Sequence, residues 1–126
     1  MMRLLWVFIA GGIGSGTRYA IGQWAAERPG PGFPYGTLIV NLSGCFLIAA
    51  VLQSAAAQSW SPDLRVAVIA GFLGGFTTYS AFNQESLQLI QSGSPGLALF
   101  NVGVTVIGGL AAGWLGFVTA RQLFGS

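Results

Sequence analysis

The chain of 126 residues is 53% hydrophobic and only 6% charged, with a formal net charge of +2 and a mean hydropathy of +0.69. A soluble domain carries about 25% charged residues, so five arginines and three acidic residues cannot build a surface that faces water. The composition predicts an integral membrane protein in a lipid bilayer. It argues against nucleic-acid binding, because there is no basic cluster, and against a zinc or redox-metal site, because there is no histidine and one cysteine.

Four hydrophobic stretches are long enough to cross a bilayer, which takes about 20 helical residues. We expect helices, because lipid offers the backbone no hydrogen-bond partner. The first stretch is interpreted as a retained helix and not as a cleaved signal peptide, because three more stretches follow it. A turn rich in proline and glycine is predicted over residues 27–32. The predicted helices cover residues 4–25, 35–57, 64–90 and 97–123, within a single transmembrane domain of residues 1–126.

Glycines that lie four residues apart occur on three of the four predicted spans. This spacing leaves two bare patches on one helix face, where another helix can approach closely. We therefore predict tight helix packing at these pairs, with the lining of a pore as the alternative. The pairs are Gly12 and Gly16, Gly71 and Gly75, and Gly109 and Gly113.

The third span contains a segment that does not favour a continuous helix. Two adjacent glycines, Gly74 and Gly75, are followed by Thr77 and Thr78, and both residue types lower helix stability. A break at membrane depth is tolerated where the freed carbonyls find protein, water or an ion. We predict a break near residues 74–78, and a simple kink relieved by threonine hydroxyls is the alternative.

Short polar stripes lie within three of the predicted spans. Such groups usually face the bundle interior or a wet pathway, and hydrogen bonding between helices is the alternative. The groups are mostly amides and hydroxyls, a lining that suits an anion better than a cation. The stripes consist of Thr37 and Asn41 on the second span, of Thr78, Tyr79, Phe82 and Glu85 on the third, and of Asn101 and Thr105 on the fourth.

Arg18 and Glu85 are the ionisable residues closest to the middle of a span. An intramembrane charge indicates a functional role, although each residue could instead anchor its helix at an interface. The remaining arginines give only a small positive-inside bias, which permits insertion in both orientations. Arg3, Arg65 and Arg121 would lie on one side of the membrane and Arg28 on the other.

Four pieces of this sequence together resemble the Fluc (CrcB-type) fluoride channels. The third span carries the motif at residues 74–82, and Glu85 follows it. The glycine-rich first span contains Thr17-Arg18-Tyr19, and the second span opens with the segment at residues 36–41. The length and the four-span plan match as well, so the resemblance covers essentially the whole chain.

The resemblance implies an all-α membrane protein with four transmembrane helices per chain, assembled as an antiparallel, dual-topology homodimer with two pores. The implied function is passive export of fluoride, without enzymatic activity, across the plasma membrane, or the inner membrane in a Gram-negative source. It also implies a structural sodium ion at the dimer interface, held by the backbone carbonyls of Gly74 and Thr77. The implied pathway residues are Asn41, Tyr79, Ser80 and Phe82, to which the polar stripes and the intramembrane charges add Thr37, Arg18 and Glu85.

Three positions depart from the family pattern and affect the polar track of the pathway. Tyr79 replaces the usual phenylalanine, Ala81 replaces a hydroxyl residue, and a hydroxyl residue of the fourth helix is replaced within Gly108-Gly109. A small four-helix multidrug exporter is one alternative function, but it would need a buried carboxylate that the first span lacks. A non-transporting membrane assembly subunit, in which the polar stripes serve packing only, is the other.

Overall fold

The computed structural model describes residues 2–28 and 32–124, which form helices and turns without strands. Residues 29–31 of the predicted turn at 27–32 lie outside the described residues. A π-helical segment, Ala67–Leu73, lies between the fourth and fifth helices. The helices are α1 (Met2–Ala26), α2 (Tyr35–Gln53), α3 (Ala55–Gln58), α4 (Pro62–Val66), α5 (Gly74–Phe76), α6 (Tyr79–Gln91) and α7 (Pro95–Phe124).

Four helical stretches in the described chain are long and apolar enough to cross a membrane, which confirms the predicted four-span, all-helical architecture. α1, α2 and α7 each supply one span, and α4 to α6 with the π-helical segment supply the third. Apolar side chains cover the outside of the bundle, as a lipid solvent requires. The exposed examples include Phe8, Ile13, Leu99, Ile107 and Leu110.

The second helix ends at Gln53, before the end that the sequence predicts at residue 57. Ser54 has an extended backbone (ψ 129°), and α3 is a separate helical turn after it. This turn is held by two side-chain hydrogen bonds. The Arg65 guanidinium donates to the Ala57 carbonyl at 3.2 Å, and the Gln58 amide donates to the Leu52 carbonyl at 3.1 Å.

The third span begins beside the start of the first. Ser61 caps α4 by accepting a hydrogen bond from the Leu64 N–H at 3.2 Å, and Pro62 occupies the first turn, where its missing N–H is tolerated. Asp63 pairs with Arg3 of α1 at 2.8 Å. This ion pair places the N-terminal ends of both spans on the same side of the bundle.

Glycines set the close approach of α1 to the third span. A Cβ atom at Gly14 would collide with the carbonyl oxygen of Phe72. One at Gly71 would lie 2.8 Å from the Cβ of Ala10, and one at Gly75 would lie 2.5 Å from the carbonyl oxygen of Gly11. Tight packing at the predicted pair on the third span is therefore confirmed.

The prediction of tight packing is wrong for Gly12 and Gly16 within the chain. Nothing lies within 4 Å of a Cβ built at either glycine, because Gly11 and Gly14 form the face of α1 that meets the third span. A Cβ at Gly109 would lie 3.4 Å from Cys45 Sγ, and one at Gly113 would lie 3.8 Å from the Cys45 carbonyl oxygen, so neither glycine is needed for space.

The third span is not one regular helix. The π-helical segment leads into α5, which ends at Phe76. Thr77 (φ −91°, ψ 159°) and Thr78 (φ −152°, ψ 126°) are both extended, and α6 begins at Tyr79. Two extended residues thus separate α5 from α6 near the middle of the third span, and the regular helical hydrogen bonding does not continue through them.

Gly14→Ala tests the packing of α1 on the third span. The new methyl group would meet backbone atoms, which cannot rotate away, so we expect a loss of stability of about 1–3 kcal/mol. Thermal unfolding of the purified protein in detergent measures it. Gly12→Ala on the same helix is the matched control and should not lower the midpoint. Equal midpoints for the two variants would contradict the close contact.

Candidate functional site

Asn41 of α2 is bonded to both backbone groups of Thr78. Its Nδ2 donates to the Thr78 carbonyl at 3.0 Å, and the Thr78 N–H donates to its Oδ1 at 2.8 Å. The side-chain amide thus satisfies backbone groups at the point where helical bonding stops. We call this pair of hydrogen bonds the Asn41 clasp.

We call the two extended residues Thr77 and Thr78, which separate α5 from α6, the interruption. Two further contacts satisfy backbone groups at or beside it. The Thr78 hydroxyl accepts a hydrogen bond from the Ala81 N–H at 3.2 Å and so caps the start of α6. The carbonyl of Gly75 accepts from Arg18 Nε at 3.1 Å and from the Ser15 hydroxyl at 3.5 Å. Side chains of α1 and α2 therefore hold the interruption from two sides.

The carbonyls of Gly74 and Thr77 lose their ordinary helical donors. The N–H that would reach the Gly74 carbonyl belongs to Thr78, and it donates to Asn41 instead. The N–H that would reach the Thr77 carbonyl belongs to Ala81, and it donates to the Thr78 hydroxyl. Gly74 is also exposed on the surface of the chain.

A cavity of about 420 Å³ lies beside the interruption. The aromatic rings of Tyr79 and Phe82 pack together there, with centroids 5.8 Å apart and planes tilted by 54°. Phe82 is only 9% exposed, whereas Tyr79 is 79% exposed. Polar and apolar residues of four elements complete the lining, among them Asn41, Gly44, Cys45, Leu73, Thr77 and Thr105.

A second cavity, of about 180 Å³, contains the Glu85 carboxylate. The Thr37 hydroxyl donates to Glu85 Oε2 at 2.9 Å. Glu85 Oε1 is buried and has no hydrogen-bond partner among the described residues. Phe33, Tyr35 and Gly36 also line this cavity, which lies near the start of α2.

The two cavities lie one after the other along α2 and α6. These helices run in opposite directions, because α2 enters the bundle from the side at which α6 ends. Thr37 precedes Asn41 by one turn on α2, and Glu85 follows Phe82 by about one turn on α6. The smaller cavity is therefore nearer the membrane surface and the larger one nearer the middle.

The structure brings together only part of the predicted pathway set. Ser80 is exposed, and its hydroxyl lies 3.3 Å from that of Thr78. Arg18 lies on the α1 side of the interruption and lines neither cavity. Asn41, Tyr79 and Phe82 line the larger cavity, and Thr37 and Glu85 line the smaller one.

The polar stripe of the fourth span serves partly in packing. Asn101 is 2% exposed, and its Nδ2 donates to the hydroxyl of Ser86 on α6 at 3.0 Å. The Thr105 hydroxyl is 3.5 Å from Asn101 Oδ1 and also lines the larger cavity. Asn101 thus joins α7 to α6, as the interhelical alternative supposed.

Sequence reasoning missed several residues that line the larger cavity. Gly44, Cys45 and Ile48 follow Asn41 on α2 by three, four and seven residues. That spacing places them on one helix face, so extending the polar stripe by helical periodicity would have found them. Gly44 is also needed for space, because a Cβ there would collide with the Thr77 methyl group.

A sequence model of the family described as "CrcB-like protein, Camphor Resistance (CrcB)" matches residues 5–117. The chain belongs to the CrcB-like family. This confirms the resemblance noted from the sequence motifs. With four helical stretches able to cross a bilayer, the family member is a multi-pass integral membrane protein.

Three relatives align with the chain over nearly its whole length, and each carries the name "Fluoride-specific ion channel FluC". The protein of Anaeromyxobacter dehalogenans is 45% identical over 99% of this chain and all of its own. That of Sorangium cellulosum is 44% identical over 98% of both chains. That of Acidobacterium capsulatum is 41% identical, over 97% of this chain and 98% of its own.

The substitution Asn41→Leu in this protein tests the Asn41 clasp. Leucine has a similar shape but leaves the Thr78 N–H and carbonyl without this partner, at about 1–3 kcal/mol for each unpaired group. We expect a lower thermal unfolding midpoint in detergent. Ser43→Ala is the matched control, because the Ser43 hydroxyl donates only to carbonyls of its own helix. An unchanged midpoint for Asn41→Leu would contradict a stabilising clasp.

Proposed function

We propose that the protein is a fluoride-selective passive ion channel that exports fluoride and lowers its cytoplasmic concentration. The observation that carries the proposal is the larger cavity, where Asn41, Tyr79 and Phe82 meet near the middle of the four-span bundle. The names of the full-length relatives support the choice of ion. A passive channel makes and breaks no covalent bond, so the protein is not an enzyme.

The chemistry of the larger cavity suits a small, strongly hydrated anion. Such an ion leaves water only when hydrogen-bond donors replace its hydration, and Asn41 Nδ2 retains a second N–H beyond the one in the clasp. The edge of the Phe82 ring carries partial positive charge and can face an anion. The residues that line this cavity in the described chain include no charged side chain, so binding stays weak enough for release.

The multidrug exporter is not favoured. Such a pump needs a carboxylate at its substrate site to exchange protons for a cationic drug. Glu85 lies instead in the smaller cavity, where it accepts a hydrogen bond from Thr37. In the proposed channel, Thr37 and Glu85 belong to the outer part of the pathway.

We propose further that two chains form an antiparallel, dual-topology homodimer around the broken third span. Gly74, Tyr79 and Ser80 are exposed in a single chain although they lie near the middle of a span. Exposed hydroxyls and backbone at that depth are unfavourable in lipid. A second copy would cover this surface and close the open side of the larger cavity.

The backbone carbonyl oxygens at the interruption fit a structural sodium ion at the dimer interface. The carbonyls of Gly74 and Thr77 are without their helical donors, and two such pairs would supply four oxygen ligands. Hard oxygen ligands suit an alkali or alkaline-earth cation better than a transition metal, and the absence of a carboxylate favours a monovalent one. The ion would compensate backbone dipoles in lipid and would not itself be transported.

Fluoride efflux from liposomes tests the channel directly. Purified protein should release fluoride down its gradient without any proton gradient. Chloride should leave far more slowly, because it is larger and fits the hydrogen-bond donors of the larger cavity less well. Empty liposomes are the control, and an ion-selective electrode is the measurement. Equal rates for the two anions would rule out selectivity, and strict dependence on a proton gradient would rule out a passive channel.

Phe82→Ile tests the role of the aromatic edge. Isoleucine keeps an apolar side chain but removes the ring, so we expect fluoride efflux to fall by about tenfold or more, as for the loss of an interaction of about 1.4 kcal/mol. Tyr79→Phe is the control and should be mild, because it keeps the ring and restores the usual residue of the family. Efflux near the wild-type rate in Phe82→Ile would show that the ring edge does not serve the ion.

A structure of the protein in a sodium-containing bilayer mimic tests the dimer and the cation together. We expect two antiparallel chains whose third spans cross, with density within oxygen-ligand distance of the Gly74 and Thr77 carbonyls of both chains. Impermeant thiol reagents should also label terminal cysteine tags from both sides of the membrane. Labelling from one side only would contradict dual topology, and internally paired carbonyls at the crossing would rule out the ion.

A further inference from the structure

We infer that Arg18 is a positioning residue, which acts through the hydrogen bond from its Nε to the Gly75 carbonyl and not through its positive charge. The inference rests on the proposed function where fluoride flux is the readout. The contact joins α1 to the third span, since Arg18 lies on the first helix and Gly75 lies two residues before the extended pair Thr77–Thr78.

The Gly75 carbonyl needs a donor from outside its own helix. Its helical partner would be the N–H of Tyr79, but Tyr79 begins α6 after two extended residues. Arg18 Nε supplies a hydrogen bond of 3.1 Å, and the Ser15 hydroxyl lies at 3.5 Å, near the limit for such a bond. Arg18 therefore provides the shorter and stronger of the two contacts.

The position of Arg18 on α1 follows from the packing of that helix. Gly11, Gly14 and Arg18 recur at helical spacing, and the two glycines contact the backbone of the third span. Arg18 extends this line of contacts by one turn, to the end of α5. The interruption is thus held by Arg18 from α1 and by the Asn41 clasp from α2.

The surroundings of Arg18 argue against a role for its charge in attracting the ion. Arg18 lines neither of the two cavities. It also forms no ion pair among the described residues, where Asp63 pairs instead with Arg3. What it contacts is a backbone carbonyl beside Gly74, one of the residues proposed to hold the cation.

Three substitutions separate the hydrogen bond from the charge. In Arg18→Gln the amide Nε2 occupies the same position along the side chain as arginine Nε, so the donor stays and the charge is lost. Arg18→Lys keeps the charge but carries its donor one atom further out. Arg18→Met removes both. Ser15→Ala is the control for the weaker contact and should have little effect.

Fluoride flux per reconstituted dimer is measured for the wild type and the four variants. Hydrogen exchange of the peptide covering residues 76–84 is followed in parallel. We expect Arg18→Gln to keep flux and protection close to wild type. Arg18→Lys and Arg18→Met should lose both by about tenfold, the scale for losing one hydrogen bond to a charged group. If Arg18→Met does not fold, the comparison of Gln with Lys decides alone.

The opposite order, with Arg18→Lys active and Arg18→Gln inactive, would overturn the inference in favour of a charge effect. Equal flux and equal exchange in all variants would overturn it as well, because the hydrogen bond would then position nothing. The exchange pattern does not depend on which ion is transported. A wild type without fluoride flux would therefore refute the proposed function, while the exchange order would still decide the inference.

Discussion

Hydrogen-bond satisfaction of the backbone at Thr77 and Thr78 is the constraint on which the rest of the structure depends. These two extended residues lie within a span, where lipid offers no partner and each unpaired group costs several kcal/mol. The protein meets this constraint with side chains from elsewhere. Asn41 pairs with both backbone groups of Thr78, and Arg18 donates to the carbonyl of Gly75. The N–H groups that would reach the carbonyls of Gly74 and Thr77 in a regular helix are bonded elsewhere.

Close helix packing is what allows side chains of modest length to reach the interruption. Gly14 lets α1 approach the Phe72 carbonyl, and Gly44 lets α2 approach the Thr77 methyl group. A larger residue at either position would push a helix away and stretch the hydrogen bonds that depend on it. In lipid there is little hydrophobic gain to hold helices together, so small residues and polar contacts supply the association. The hydrogen bonds to the backbone at this site therefore depend on the close packing of the helices.

The sequence was sufficient for the features that arise from local composition. Long apolar stretches predicted four spans, and the glycines and threonines at residues 74–78 indicated where a helix would be hard to continue. It was not sufficient for features that arise from tertiary contacts. The separate turn α3, which follows the early end of α2, is bonded to Arg65 of the next span. Likewise, no local pattern says that Asn41 bonds to a residue 37 positions further along the chain, so its amide could only be assigned to a polar stripe.

The separation of charged from neutral groups follows from the same contacts. Arg18 and Glu85 are the two ionisable residues nearest the middle of a span, yet each is engaged outside the larger cavity, with a backbone carbonyl and with the Thr37 hydroxyl. The aromatic pair Tyr79–Phe82 and the amide of Asn41 are left to line that cavity. A fixed charge there would bind an ion of opposite sign too tightly for rapid release. The Arg18 guanidinium donates to the Gly75 carbonyl. The same hydrogen bond therefore supports the interruption and holds the charge of Arg18 outside the larger cavity.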